Sequence, residues 1–147
     1  MTGRLWLEDG VVHNRSTQFG DWDIALADVR MIGEATNEDG PFLDDWMLVF
    51  ATGPDRWYEA SFYATIHTDF REKLGEVLHA PLAAALAGSA SFDSRVLWPP
   101  HLVGRPVFVY EHGRAKTLFG RIASRVVGPL SCTQRFTDEV VAHLSKA

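Results

Sequence analysis

His101, Glu111 and His112 are the residues whose types best suit a metal. Two neutral imidazoles and a carboxylate are donors that zinc accepts, provided the Pro99-Pro100 loop folds back over a strand at 107–112. None of the six histidines has a second histidine three or four residues away, so no helical metal pair is written into the chain. The same residue types line solvated turns, and that metal-free reading stands beside the first. Asp21-Trp22-Asp23 and Asp44-Asp45 place carboxylates close together, a pattern able to hold a hard cation or exchange protons. On a strand, Asp21 and Asp23 share one face and Trp22 takes the other, which equally suits a charged face guarding a sheet edge. The single cysteine, Cys132, needs an adjacent base to act as a nucleophile. His143 falls at the far end of the helix expected after it, so an inert thiol is the expectation.

Several chemistries lose their basis at once. The chain holds no GxxxxGK[ST] loop, GxGxxG turn, HExxH pair, CxxC pair or GxSxG elbow. Charge is uneven: residues 1–76 carry 6 Lys/Arg against 15 Asp/Glu, and residues 77–147 carry 8 against 4. Between Arg95 and Arg135 there are seven basic residues and one acid, Glu111. Arg105, Arg114, Lys116, Arg121 and Arg125 therefore form a candidate anion-binding set. Their scattered spacing, and a net charge of −5, disfavour nucleic acid. Pairing of the basic part with the acidic part, within one chain or between two, accounts for the same asymmetry.

These side chains must be held by something. At 147 residues and 46% apolar composition the chain has enough material for one core. Arg4-Leu5-Trp6-Leu7 and Val11-Val12-His13 flank an Asp9-Gly10 turn and read as a hairpin. Trp22, Ile24 and Leu26 alternate on one face of a third strand. Asp28 interrupts, Val29 to Ile32 resumes, and Glu34 to Gly40 reads as an exposed hairpin end. Asp45–Ala51 and Arg56–Tyr63 are aromatic and β-branched around a Thr52-Gly53-Pro54-Asp55 turn, which predicts a second hairpin. Trp46, Leu48 and Phe50 fall on one face and Met47 and Val49 on the other, so that strand is expected to be covered on both sides.

Phe70, Leu74, Val77 and Leu78 predict an amphipathic helix, capped by Thr68 or Asp69 and ended by Pro81, with a second short helix over Leu82–Ala87. Gly88-Ser89-Ala90-Ser91 is the candidate linker, which separates residues 1–88 from 89–147 within one structural unit. Strands are expected at Val96–Trp98 and Val107–Tyr110, with a turn at Glu111–Arg114. Leu118, Ile122 and Val126 favour a helix over 116–127, while Phe119 and Gly120 leave a strand open. Thr137 should cap a last helix that turns Val140, Val141 and Leu144 inward. The fold class is α+β.

Six short antiparallel strands followed by one amphipathic helix resemble the pleckstrin-homology-like modules of bacterial and GRAM type. The residues that carry the likeness are Ile24-Ala25-Leu26-Ala27-Asp28-Val29-Arg30-Met31-Ile32, the two aromatic strands, and Phe70-Arg71-Glu72-Lys73-Leu74, within about the first 80 residues. The resemblance implies an antiparallel sandwich or partly open barrel closed by the helix; the carboxy-terminal part, expected to be smaller and helical, is not accounted for by it. It also implies a non-catalytic binding or scaffolding role. Members that bind phosphoinositides gather Lys and Arg around the first two strands; here Glu8 and Asp9 accompany Arg15, so headgroup binding is not expected.

The chain is accordingly expected to be a cytoplasmic binding or assembly module that needs no cofactor, meets a protein partner or a second copy of itself, and leans away from catalysis. Trp98 and Tyr63, aromatic residues at the ends of elements, are its candidate interface residues. The alternatives are a metal binder or enzyme using His101, Glu111 and His112, and an anion binder using the basic set. The longest apolar run, near 81–87, is far short of the ~20 residues that span a bilayer.

Overall fold

The computed structural model describes residues 3–36, 45–82, 93–112 and 132–146, with 110–112 and 132–133 described by their backbone. Asp9 and Gly10 both take positive φ, 52° and 74°, and make the two-residue turn expected between the first strands. That turn joins β1 (Arg4–Glu8) to β2 (Val11–Arg15). β3 (Trp22–Ala25) pairs with β2, which completes a three-stranded antiparallel sheet. A 3-10 turn, Leu26–Asp28, ends the third strand where Asp28 was expected to interrupt.

A second sheet has the order β6-β5-β4-β7 and is antiparallel throughout. It comprises β4 (Met31–Thr36), β5 (Trp46–Gly53), β6 (Arg56–Ser61) and β7 (Ser94–Trp98). Helix α1 (Phe70–Leu78) lies between β6 and β7 in the chain. The remaining elements are a hairpin of β8 (Phe108–His112) and β9 (Cys132–Phe136), and helix α2 (Asp138–Leu144). The fold is thus α+β with antiparallel sheets. Among the described residues no helix is long and apolar enough to cross a membrane.

The alternation along β5 divides the interior into two cores. Trp46, Leu48 and Phe50 join Leu5, Val12 and Ile24 of the first sheet and Phe70 and Leu74 of α1. Met47, Val49 and Ala51 face the other way, onto Val107, Phe108, Phe136, Val140 and Leu144. Both faces of β5 are therefore covered, as its uninterrupted apolar sequence predicts. Trp57 fastens the β8–β9 hairpin, with its ring 5.3 Å from Phe108 and 4.8 Å from Phe136.

Four expectations are corrected. Glu34, expected at an exposed hairpin end, is fully buried: β4 continues to Thr36, and β7 returns after α1 and makes β4 an inner strand. Its carboxylate oxygen accepts a 3.1 Å hydrogen bond from Trp46 Nε1. Glu111 and His112, expected in a turn, are the end of β8, in register with Thr133 and Cys132. Cys132 opens a strand, β9, rather than standing directly before the last helix. Val77 is 56% exposed, because only Phe70 and Leu74, one turn apart, lie squarely under the helix. The proposed helices over Leu82–Ala87 and 116–127 fall almost wholly outside the described residues, as does the 88–91 linker.

Helix ends follow local chemistry. At α1 Thr68 Oγ1, rather than Asp69, accepts the Phe70 N–H, at 3.3 Å. Gly75 looks misplaced in a helix, yet a Cβ there would come 2.7 Å from the Ala80 carbonyl oxygen, which folds back over it. At α2 Thr137 Oγ1 accepts the Val140 N–H, as expected. Thr137→Ala is expected to lower stability by about 1 kcal/mol, and Thr137→Ser to restore most of it, in urea unfolding. Equal losses for both would show that the hydroxyl does not cap the helix.

Candidate functional site

Two surface features bring together side chains that the core does not use. The first is the outer face of the three-stranded sheet. Because Leu5, Val12 and Ile24 point inward, the pleat turns Arg4, Trp6 and Glu8 of β1 outward, with His13 and Arg15 of β2 and Asp23 of β3. The register aligns Trp6, His13 and Asp23 in one row and sets Arg4 opposite Arg15. The Trp6 and His13 rings stack at 5.0 Å, and the Arg4 and Arg15 guanidinium carbons lie 4.4 and 5.6 Å from the Trp6 ring centre.

His13 Nδ1 donates to Asp23 Oδ1 at 2.5 Å, and Arg15 reaches the same carboxylate at 3.0 Å. Hydrogen bonding from Arg15, and then from His13, holds the Asp23 carboxyl below the usual carboxylate range. Arg15 also donates to the Asn14 and Trp22 carbonyls. Arg4 and Glu8, by contrast, have no ion pair or hydrogen bond among the described residues. The face therefore offers a half-buried indole with a cation laid over its ring and an anion beyond it, neither of them in an ion pair among the described residues.

The second feature is a cavity of about 600 Å³ between the Leu26–Asp28 turn and the β5–β6 turn. Asp23, Asp28, Arg30, Thr52, Asp55 and Arg56 contribute its polar lining, and Tyr58 a side wall. Arg30 is committed elsewhere. Its backbone N–H donates to the Ala51 carbonyl at 2.8 Å, and its guanidinium donates to the Leu144 and Lys146 carbonyls at the end of α2. His143 Nε2 donates to the Arg30 carbonyl at 2.8 Å, so this one residue ties α2 to the sheets.

The residues singled out from sequence are dispersed. His101 is exposed and meets the His143 ring at 5.1 Å. The side chains of Glu111 and His112 lie outside the description, and among the described residues no three metal-type donors converge. Arg105 is exposed and pairs loosely with Glu139 at 3.7 Å; Arg114, Lys116, Arg121 and Arg125 lie outside the described residues. Trp98 is half-buried against the first core. Tyr63 is 38% exposed, but its hydroxyl donates to Asp45 at 2.6 Å and its ring meets Trp46 edge-on. Asp21 accepts the Ser16 N–H at 3.1 Å, and Asp44 is outside the described residues.

Sequence reasoning missed the Trp6 row. Its signal was present: Leu5 and Leu7 alternate with Arg4, Trp6 and Glu8, so an aromatic residue sits on the polar phase of the strand. Set against protein-family models, curated proteins and solved structures, the chain matches none, and its functional reading rests on this geometry.

Proposed function

We propose that this chain is a non-enzymatic binding and assembly module that self-associates through the outer face of β1–β2–β3. The observation that carries the reading is the outward row of β1. Along the strand the backbones of Arg4 and Glu8 lie about 7 Å to either side of that of Trp6. Two copies related by a two-fold axis across the strands would set Trp6 on Trp6, and Arg4 of each copy over Glu8 of the other. Tryptophan and arginine are the residue types that dominate association energetics. The likeness of the strand order to pleckstrin-homology-like modules, taken as a sandwich closed by α1, supports the same role.

The face measures about 17 Å by 14 Å by strand geometry. That is well below the ~800 Å² per partner of a standard interface. A weak dimer is expected, with Kd on the order of 0.1–1 mM. Sedimentation velocity on the full chain tests it. The wild type should gain mass with concentration, more strongly at low salt. Arg4→Glu should stay monomeric, and Arg4→Glu combined with Glu8→Arg should associate again. A wild type that remains monomeric, or a double variant no better than the single one, rejects the assembly role.

A further inference from the structure

The cavity between the two turns has a charge pattern that nothing in the fold consumes. Asp23 is occupied by Arg15 and His13, and Arg30 by the end of α2. Asp28, Asp55 and Arg56 also line the cavity, yet none has an ion pair or hydrogen-bonded side chain among the described residues. The Tyr58 hydroxyl is equally uncommitted, and its ring is braced at 5.4 Å by Trp22, whose Nε1 donates to the Glu59 carbonyl at 3.0 Å. Thr52 Oγ1 is buried and has no hydrogen-bond partner. Closed off from solvent, that oxygen does not open into the cavity and is left out of the site.

The balance of free charges selects the ligand. A simple cation would satisfy Asp28 and Asp55 and leave Arg56 uncompensated. A simple anion would meet Arg56 and face two carboxylates. A molecule with an ammonium and a carboxylate satisfies all three. A volume near 600 Å³ falls within the ordinary range for small-molecule sites, about 300–1,000 Å³. We propose that this cavity binds a small zwitterion of the α-amino-acid class, its ammonium toward Asp28 and Asp55 and its carboxylate toward Arg56. The Tyr58 hydroxyl supplies a neutral polar contact at the wall.

The proposal is independent of self-association and is tested in the Arg4→Glu background, where the outer face of the first sheet is disabled. Nitrogen-15 spectra of the full chain are followed during titration with glycine, L-alanine, L-serine and L-glutamine, and with ethylamine and propionate as probes carrying one charge each. At least one amino acid should give saturable shifts at Asp28, Gly53 and Asp55, with each single-charge probe at least about tenfold weaker. Arg56→Gln should weaken the amino acid by about tenfold and leave ethylamine unchanged. Asp55→Asn should weaken both. Both substituted residues are exposed, and circular dichroism confirms that the variants fold. Three results would each overturn the proposal: no saturable shift from any amino acid, a single-charge probe that binds as tightly as the zwitterion, or an Arg56→Gln variant that binds as the parent does.

Discussion

Phe50→Ala will remove about 3–5 kcal/mol of stability, the range for truncating a fully buried ring. Phe50 is fully buried on β5, the inner strand that both cores share. Its ring meets Trp22 of the first sheet edge-on at 5.7 Å and Phe70 of α1 edge-on at 6.4 Å. One side chain thus touches both sheets and the helix. Truncation loses the transfer free energy of the ring, and the hole cannot close, because β5 is held by β4 and β6 on either side and by the second core behind it. A domain of this size has about 5–15 kcal/mol in total, so roughly a fifth or more of its stability should go. Urea unfolding of the variant checks this, with Val77→Ala as the control at a site 56% exposed, where a change within about 0.5 kcal/mol is expected. A loss at Phe50 below about 1.5 kcal/mol would mean that the three elements do not converge on its ring.

What the sequence made legible is what local periodicity determines. The apolar run of β5, the Asp9-Gly10 turn, Phe70 and Leu74 under α1 and the Thr137 cap all follow from neighbours within a few residues. What stayed hidden depends on partners far along the chain. β4 becomes an inner strand because β7 arrives some sixty residues later, across α1. Without that partner Glu34 reads as polar and therefore exposed; with it, Glu34 is a buried acceptor for Trp46. The same holds for β9, whose partner β8 precedes it by about twenty residues, so that Cys132–Phe136 carries no strand signal of its own. The cavity escaped the sequence for this reason too. Asp23 lies on β3 and Asp28 in the turn after it, Asp55 in the β5–β6 turn and Arg56 at the start of β6, and only the packing of one sheet on the other brings them to one opening. The Trp6 row is the exception, since its alternation is local and its meaning was not.

Gly33→Ala should destabilise the fold by about 1–3 kcal/mol although it adds one methyl group. Gly33 lies on β4 where its pairing with β7 slips by a residue. A Cβ at this position would stand 2.5 Å from Val107 Cγ2 and 3.1 Å from the Arg95 carbonyl oxygen. The first contact requires something to move, and neither neighbour moves easily: Arg95 O is the backbone of the paired strand, and Val107 is a stiff, β-branched residue buried in the second core. Val107 is also where the chain enters the layer that carries β8, β9 and α2, so strain here should loosen that layer first. A double-mutant cycle isolates the cause. Val107→Ala alone costs stability by leaving a hole, but it removes the methyl group that the new Cβ would strike. Combined, the two substitutions should cost less than their sum by about 1 kcal/mol or more, because the alanine methyl at 33 enters the space vacated at 107. Hydrogen exchange should show faster opening of the α2 amides in Gly33→Ala and recovery in the double variant. If the two losses simply add, the close approach of β4 to Val107 is not what fixes a glycine at position 33, and the docking of the carboxy-terminal layer must depend instead on the aromatic contacts of Trp57 and the Arg30 tie to α2.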